Sequence, residues 1–327
     1  SIHNLTFYHT LMAAMRASIL EGTFLPFYER MRVELALEDI HHPVVRPKPA
    51  KPFHFPRIGD YEIHPSKEGF NSVRQISSGE VMHSVNNPDE EANRLYVQQS
   101  ALATRLEDPK QAANELVIWD VGLGAATNAM AVLRCFENVR DTAGERPLRP
   151  LRLVSFECDL DPLRLASRHA GYFPHARHAA PKAILAEGLW TDASGAMRWE
   201  LKHGDFLEYL EGAPAPDIIF YDPFSAKTDS ALWTSATFAR IHAACAARPA
   251  ELYTYSAATA VRVALLSAGF FVATGAGTGP KADTTLAFTR AEGAARHPAI
   301  PSLLGEAWLA RWRRSDAKSP TYLSPEE

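Results

Sequence analysis

The chain has 327 residues, 46% of them hydrophobic, enough for one sizeable core with extensions or for two small domains. With 34 basic residues against 38 acidic and a net charge of -4, a uniformly basic nucleic-acid binder is excluded, and any RNA contact must come from a local patch. Cys135, Cys158 and Cys245 are far apart and form no CxxC pair, which argues against a disulfide framework or a cysteine zinc site and for a reducing cytoplasm. The N-terminus shows no signal-sequence pattern and no apolar run approaches the ~20 residues that span a bilayer, so a soluble, cytoplasmic protein with no membrane partner is expected.

In chain order, residues 6–37 show helical spacing at Leu11, Met15, Ile19 and Leu20, with a second helix after Gly22. Pro43, Pro47, Pro49, Pro52 and Pro56 then leave room only for an extended linker, and 43–59 is assigned to it. Residues 60–110 are expected to hold a short strand or two and a helix over 89–106. From residue 115 apolar runs alternate with helical stretches. Strands are expected at 116–120, 151–156, 197–202, 217–221, 252–255, 270–274 and 284–289. Helices are expected at 126–137, 161–170, 232–246 and 259–268. This alternation predicts an α/β fold, a doubly wound, mostly parallel sheet of Rossmann-like kind. The last two runs have no helix between them and suit an antiparallel edge pair. The predicted division is a helical segment over 1–42, the linker, a main domain over 60–292 and an extension over 293–327. In that extension Trp308, Arg311, Trp312, Arg313 and Arg314 suit either a docking helix or a loose tail.

Four motifs carry chemistry. In Asp120-Val121-Gly122-Leu123-Gly124 a strand ends in an acid and a glycine turn opens a helix, the arrangement that brings backbone amides to a nucleotide-like ligand. A third glycine, expected near Ala126, is missing. Glu157, at the end of the second strand, can accept the two hydroxyls of a ribose, while Asp159 or Asp161 can cap the following helix. Asp205 follows the third strand and suits either an adenine amino group or a helix N-cap. Asp222, in Phe220-Tyr221-Asp222-Pro223-Phe224, ends a central strand at the sheet's ligand crevice. A carboxylate there can hold an ammonium, orient it and take up its proton. The cysteines are not placed for a covalent intermediate.

Together these segments resemble the methyltransferase half of the MnmC family, tRNA wobble-uridine modification enzymes. The resemblance rests on the glycine turn through Asn128, on Asp222 to Lys227 with Leu232-Trp233-Thr234, on Thr254-Tyr255-Ser256, on Ala268-Gly269-Phe270 and on Gly79-Glu80 with His83-Ser84. It covers about residues 60–290 and implies a class I fold, S-adenosylmethionine as cofactor and an aminomethyl group on tRNA as acceptor. It implies that Asp222 faces the amine and that Glu157, Asp205, Gly122 and Gly124, with Asp120, hold the cofactor. Glu80 and His83 would lie near the cofactor or the substrate entrance, and Phe224, Lys227, Tyr255 and Lys281 would contact substrate. The missing glycine at Ala126 departs from the pattern and weakens the case for cofactor binding. The family's flavin-dependent half has no counterpart here, so a stand-alone methyltransferase is implied.

A second resemblance, over residues 2–32, is to the C-terminal end of bacterial tRNA-guanine transglycosylase, through Ile2 to Tyr8, Leu11-Met12 and Glu21-Gly22-Thr23-Phe24. The family's zinc cysteines are missing beside His3, so neither metal nor transglycosylase activity is expected. The segment suits a fusion remnant, a piece of a longer fused protein or a packing helix.

For RNA, Arg46, Lys48, Lys51, Arg57, Lys67 and Arg74, interleaved with Phe53, Phe55 and Tyr61 and joined by His41, His42, His54 and His64, could track phosphates and stack bases. Arg311, Arg313 and Arg314 form a second candidate. Three rivals stay open: methylation of a small amine, a cofactor-dead RNA-binding scaffold, and an NAD-binding protein on the same sheet.

Overall fold

A computed structural model describes residues 2–36, 55–83, 86–278 and 281–314. The chain divides into two compact units, Ser1–His54 and Phe55–Glu327. The first is a helical hairpin of α1 (Ile2–Leu20) and α2 (Phe24–Ala36), turning at Gly22 with φ of 72°. Leu5, Tyr8, Met12 and Leu25 on it are exposed. Most of the proline-rich stretch, with Pro43 to Pro52, Phe53 and the basic residues Arg46, Lys48 and Lys51, lies outside the described residues.

The second unit begins with a small antiparallel sheet of β1 (Arg57–Ile58), β2 (Tyr61–Pro65) and β3 (Asn71–Gln75). The helix expected over 89–106 is broken into α3 (Pro88–Ala92), a π-helical turn over 93–98, and α4 (Leu102–Leu106). The break falls at Ala101, whose φ of 50° is left-handed. Side chains compete for the backbone there: the Arg105 guanidinium donates to the Ser100 carbonyl at 2.7 Å and the Ser100 hydroxyl donates to the Tyr96 carbonyl at 2.6 Å.

The main sheet then alternates with helices. Its elements are β4 (Leu116–Val121), α5 (Thr127–Ala143), β5 (Leu151–Glu157), α6 (Asp161–Arg168), α7 (Ala179–Glu187), β6 (Leu189–Thr191), β7 (Met197–His203), α8 (Phe206–Tyr209), β8 (Ile218–Tyr221), α9 (Ser235–Ala244), β9 (Glu251–Thr254), α10 (Thr259–Ser267), β10 (Phe271–Thr278) and β11 (Lys281–Phe288). The strand order is β10-β11-β9-β8-β4-β5-β7-β6. β7, β5, β4, β8 and β9 are parallel, and β10 pairs with β11 antiparallel at one edge, as the missing helix between those runs predicts. Unforeseen are α7 and β6, the latter antiparallel on β7 at the other edge, and the short α11 (Ala291–Arg296). β6 and α11 are too short and too exposed for periodicity to mark them, and α7, in an alanine-rich stretch with Pro181 in its first turn, carries little apolar contrast.

Alternation along β4 explains the layering. Leu116 and Ile118 join Phe136, Leu153 and Phe220 on one face, while Val117, Trp119 and Val121 join Phe156, Phe238 and Leu265 on the other. A third cluster packs Tyr61, Ile63 and Val73 of the small sheet against Leu165, Ala166 and Phe173. Trp308 is buried in α12 (Glu306–Arg314), so the C-terminal extension is a helix docked by one aromatic as far as Arg314.

Strand order reverses at β4: the chain runs through β5 to β7 on one side and β8 to β9 on the other. The crevice at such a switch point opens at the carboxyl ends of β4 and β8, where Gly122 and Asp222 lie.

Candidate active site

The turn after β4 is made by two left-handed glycines, Gly122 and Gly124. A Cβ on Gly122 would come within 2.6 Å of the Asp222 carbonyl oxygen and 2.9 Å of Pro223 Cα, so only glycine lets the turn pass the end of β8. Ala126 also adopts a left-handed conformation, φ 65°, as the N-cap of α5. Its methyl is buried in the core, and unlike its neighbours Ala125 and Thr127 it does not line the cavity above the turn. The missing third glycine therefore bears on backbone strain, not on the cavity's shape, and the weakening inferred from sequence has no structural counterpart.

That cavity holds about 660 Å³. Gly122, Gly124, Glu157, Asp205, Asp222, Glu80, His83, Phe224 and Tyr255 all line it, drawn from segments as far apart in the chain as Glu80 and Tyr255. Asp120 does not. It is buried between β5 and β8, with Oδ2 accepting from Ser155 Oγ at 2.7 Å and Oδ1 without a hydrogen-bond partner. Burial pushes its pKa up to about 7, offset in part by Ser155 and reinforced by the charges of Asp222 and Glu157. Lys227 is exposed on the loop after β8 and is not part of the lining. The Lys281 side chain lies outside the described residues, though its backbone pairs with Thr278, which lines the cavity.

Glu157 works harder on the protein than the sequence suggested. Its Oε2 accepts from the Gly124 amide at 2.9 Å, and Oε1 accepts from the Cys158 and Asp159 amides at 2.9 and 3.0 Å. A carboxylate has about four acceptor positions, so three backbone bonds leave room for about one ligand hydroxyl. Burial raises its pKa, opposed by these bonds. Asp159 Oδ1 accepts from the Asp161 amide at 2.9 Å in the turn before α6, but the N-cap position is Leu160 and neither acid caps the helix as expected. Asp205 N-caps α8 through Leu207 N at 2.8 Å, the second of the two roles raised for it, and it also lines the cavity.

Asp222 Oδ2 accepts from Asn128 Nδ2 at 2.6 Å. Burial pushes its pKa up to about 6, against the lowering influence of His83 and Asn128. His83, at a strained φ of 50°, pairs through Nδ1 with Glu91 Oε2 at 3.0 Å. Although burial opposes it, Glu91 and the nearby Asp222 hold the His83 pKa above its ordinary value. Glu80 ties down the loop after β8: its carboxylate accepts from Ser225 N at 2.8 Å, Ser225 Oγ at 3.0 Å and Thr228 Oγ1 at 2.6 Å. Tyr255 donates to the Pro223 carbonyl at 3.2 Å.

Sequence reading missed Glu91, Tyr96 and Asp229 in this lining. Glu91 sits in the acidic run Asp89-Glu90-Glu91, indistinguishable there from ordinary first-turn helix acids. Cys158 also reaches the wall, contrary to expectation, but burial and the Glu157 charge push its thiol up to about 12. Tyr61, expected to stack bases, is buried and lines the same cavity; Arg74 is spent in an ion pair with Glu62.

The lining carries six carboxylates, Glu80, Glu91, Glu157, Asp205, Asp222 and Asp229, and no lysine or arginine among the described residues. A site so charged suits a cationic ligand, and a glycine turn beside an acid suits a nucleoside with an amino-acid tail. Both are features of S-adenosylmethionine, so the residues present fit that cofactor. Among the described residues no cluster of metal-ligating side chains occurs, and no helix is long and apolar enough to cross a membrane.

Comparison with known proteins agrees. Residues 177–290 match a family described as S-adenosyl-L-methionine-dependent methyltransferase. The bifunctional protein MnmC of tRNA 5-methylaminomethyl-2-thiouridine biosynthesis from Methylibium petroleiphilum is 29% identical over 259 residues, covering 74% of this chain and 35% of that protein. Its counterpart from Aeromonas hydrophila is 28% identical over 246 residues, 71% of this chain and 35% of that protein. The chain thus spans about a third of the length of these relatives. The crystal structure of MNMC2 from Aquifex aeolicus shares the fold, with a TM-score of 0.60 at 20% identity over 84% of this chain and 82% of that one. The family match and the sheet make the chain an S-adenosylmethionine-dependent methyltransferase with an α/β, mostly parallel fold. Within that class it is related to the MnmC proteins.

Proposed function

We propose that the chain methylates the amine of a 5-aminomethyluridine, with or without 2-thio substitution, at the wobble position of tRNA. The observation that carries this is Asp222, a carboxylate at the switch-point crevice in a cavity lined by acids and, among the described residues, by no lysine or arginine. S-adenosylmethionine supplies the electrophilic methyl when bound. Gly122, Gly124 and the remaining acceptor position of Glu157 hold it, with Asp205 toward the base. Asp222 attracts the substrate ammonium, orients it through the fixed Asn128 contact, and accepts the proton the nitrogen must shed to expose its lone pair. The His83–Glu91 pair keeps compensating charge beside it. Phe224 and Tyr255 bracket the acceptor side.

The names of the relatives support tRNA as partner; the setting would then be cytoplasmic. On this reading 1–42 is an accessory segment, 43–59 a linker, 60–292 the methyltransferase domain and 293–327 an extension. The test is methyl transfer from labelled S-adenosylmethionine to tRNA bearing 5-aminomethyluridine. Asp222→Asn should bind the cofactor within about threefold of the parent yet lose on the order of a hundredfold or more in turnover. Full turnover in that variant rejects the role.

A further inference from the structure

A second cavity of about 250 Å³ adjoins the first. Met82, His83, Ala125 and Thr127 line both, so the two share a wall. Its other side is formed by residues 69–73 and 171–175, two loops joined by Asn71 Nδ2 donating to the Tyr172 carbonyl at 3.4 Å. Three aromatic rings line it: Phe70, Tyr172 and Phe173. Phe55 meets the Tyr172 ring edge-on at 6.4 Å between centroids and braces it.

Cations surround these loops. Lys67 precedes the first, Arg168 precedes the second, and Arg177 Nε donates to the Ala170 carbonyl at 3.1 Å, which sets Arg177 beside it. All three are exposed, and among the described residues none is in an ion pair, in contrast to Arg74, Arg134 and Arg164. Glu68 is the exposed acid beside Lys67, and Asp89 on the cavity wall is already paired with Arg134 at 2.9 Å. The first cavity carries six carboxylates; this one is lined by aromatic rings, its one carboxylate, Asp89, is held by Arg134, and the exposed cations lie next to its loops in sequence, chemistry suited to a base and its phosphates.

We propose that the second cavity is a nucleobase subsite, taking the base next to the target nucleotide in a single-stranded RNA loop. It rests on the RNA-substrate reading above. Tyr172 and Phe70 offer stacking faces, and Lys67, Arg168 and Arg177 meet the phosphates on either side. The shared wall suits two consecutive nucleotides splayed apart, the target entering the acidic cavity and its neighbour this one.

The test uses the full chain, an anticodon stem-loop RNA carrying 5-aminomethyluridine, the same RNA with the adjoining nucleotide made abasic on either side, and the free nucleoside. Tyr172→Ala should raise KM for the stem-loop roughly tenfold or more. The S-adenosylmethionine Kd, which reports intact folding, and kcat/KM on the nucleoside should stay within about twofold. The abasic change should cost the parent a similar factor and Tyr172→Ala little more, because both remove one stacking pair. Arg168→Glu with Arg177→Glu should weaken RNA binding and flatten its salt dependence. Unchanged KM in Tyr172→Ala, or losses that multiply with the abasic change, overturns the subsite. If the parent methylates neither RNA nor nucleoside, the substrate reading fails separately. Direct binding of the labelled stem-loop then decides the subsite: a Tyr172→Ala defect supports it, and equal affinity overturns it.

Discussion

Asp120 holds a carboxyl in the sheet's interior with one oxygen unpartnered. Its folded pKa, about 7, lies above the unfolded value of 3.8, so the native state binds the proton more tightly. The associated stability is complete below about pH 4 and is lost as pH rises toward 7. Asp120→Asn should therefore gain on the parent across that window, by a few kcal/mol at pH 8, since each tenfold difference in proton affinity between the two states is worth about 1.4 kcal/mol. Urea denaturation at several pH values reads the gain, and parallel stability curves for the two proteins would rule it out. At Ala126 the left-handed backbone costs ~1 kcal/mol or more, while its buried methyl contributes about 0.8 kcal/mol. Ala126→Gly should leave stability within ~1 kcal/mol and cofactor affinity unchanged by calorimetry. A large gain in affinity would show that the residue shapes the cavity after all. For Asp222, whose pKa is about 6, the charge that attracts an amine appears only as pH rises through that value. Turnover in the parent should climb from pH 5 and begin to level off as Asp222 ionises, whereas in Asp222→Asn the residual turnover should follow only the free-amine fraction and keep rising with no inflection near 6.

At the scale of elements, the motifs worked because each is short and sits where a strand ends. The glycine turn, Glu157 and Asp222 are legible from local order alone, since parallel strands present their carboxyl ends to one crevice. Glu80 and His83 are different. Nothing local says that a residue of the turn after β3 reaches the loop after β8, yet Glu80 makes three bonds there. Glu80→Ala should loosen that loop, raising the substrate KM more than the cofactor Kd; the opposite order would place Glu80 on the cofactor side. The broken 89–106 helix was equally illegible, because its pieces carry side chains whose partners lie far away in the chain. One is Arg105, whose guanidinium meets both oxygens of Glu251 on β9 at 2.8 and 2.6 Å. Arg105→Ala removes the charge partner and leaves that carboxylate its bond from the Tyr253 hydroxyl at 2.6 Å, and should cost about 2 kcal/mol or more.

At the scale of the molecule, charge is distributed rather than abundant. A chain of net charge -4 binds RNA only through local cations, so tRNA affinity should fall steeply between low and physiological salt while S-adenosylmethionine affinity hardly changes. Salt-independent turnover would favour a small-amine substrate instead. The acidic cavity is lined entirely by residues beyond 60, so a chain lacking residues 1–54 should bind the cofactor like the full chain.

The sequence alone determined the strand–helix alternation, the antiparallel edge and the acids at three strand ends, because periodicity and turn chemistry are local properties. Only the tertiary structure decided which acids face the cavity. Asp120 and Asp222 both lie where a central strand ends, but the first is sealed between neighbouring strands and the second opens to the crevice. It also decided that Glu157 spends most of its acceptor capacity on the backbone, and that Glu80, His83 and Glu91 converge on the end of β8. Those outcomes depend on packing between segments far apart in the chain, which no local pattern encodes.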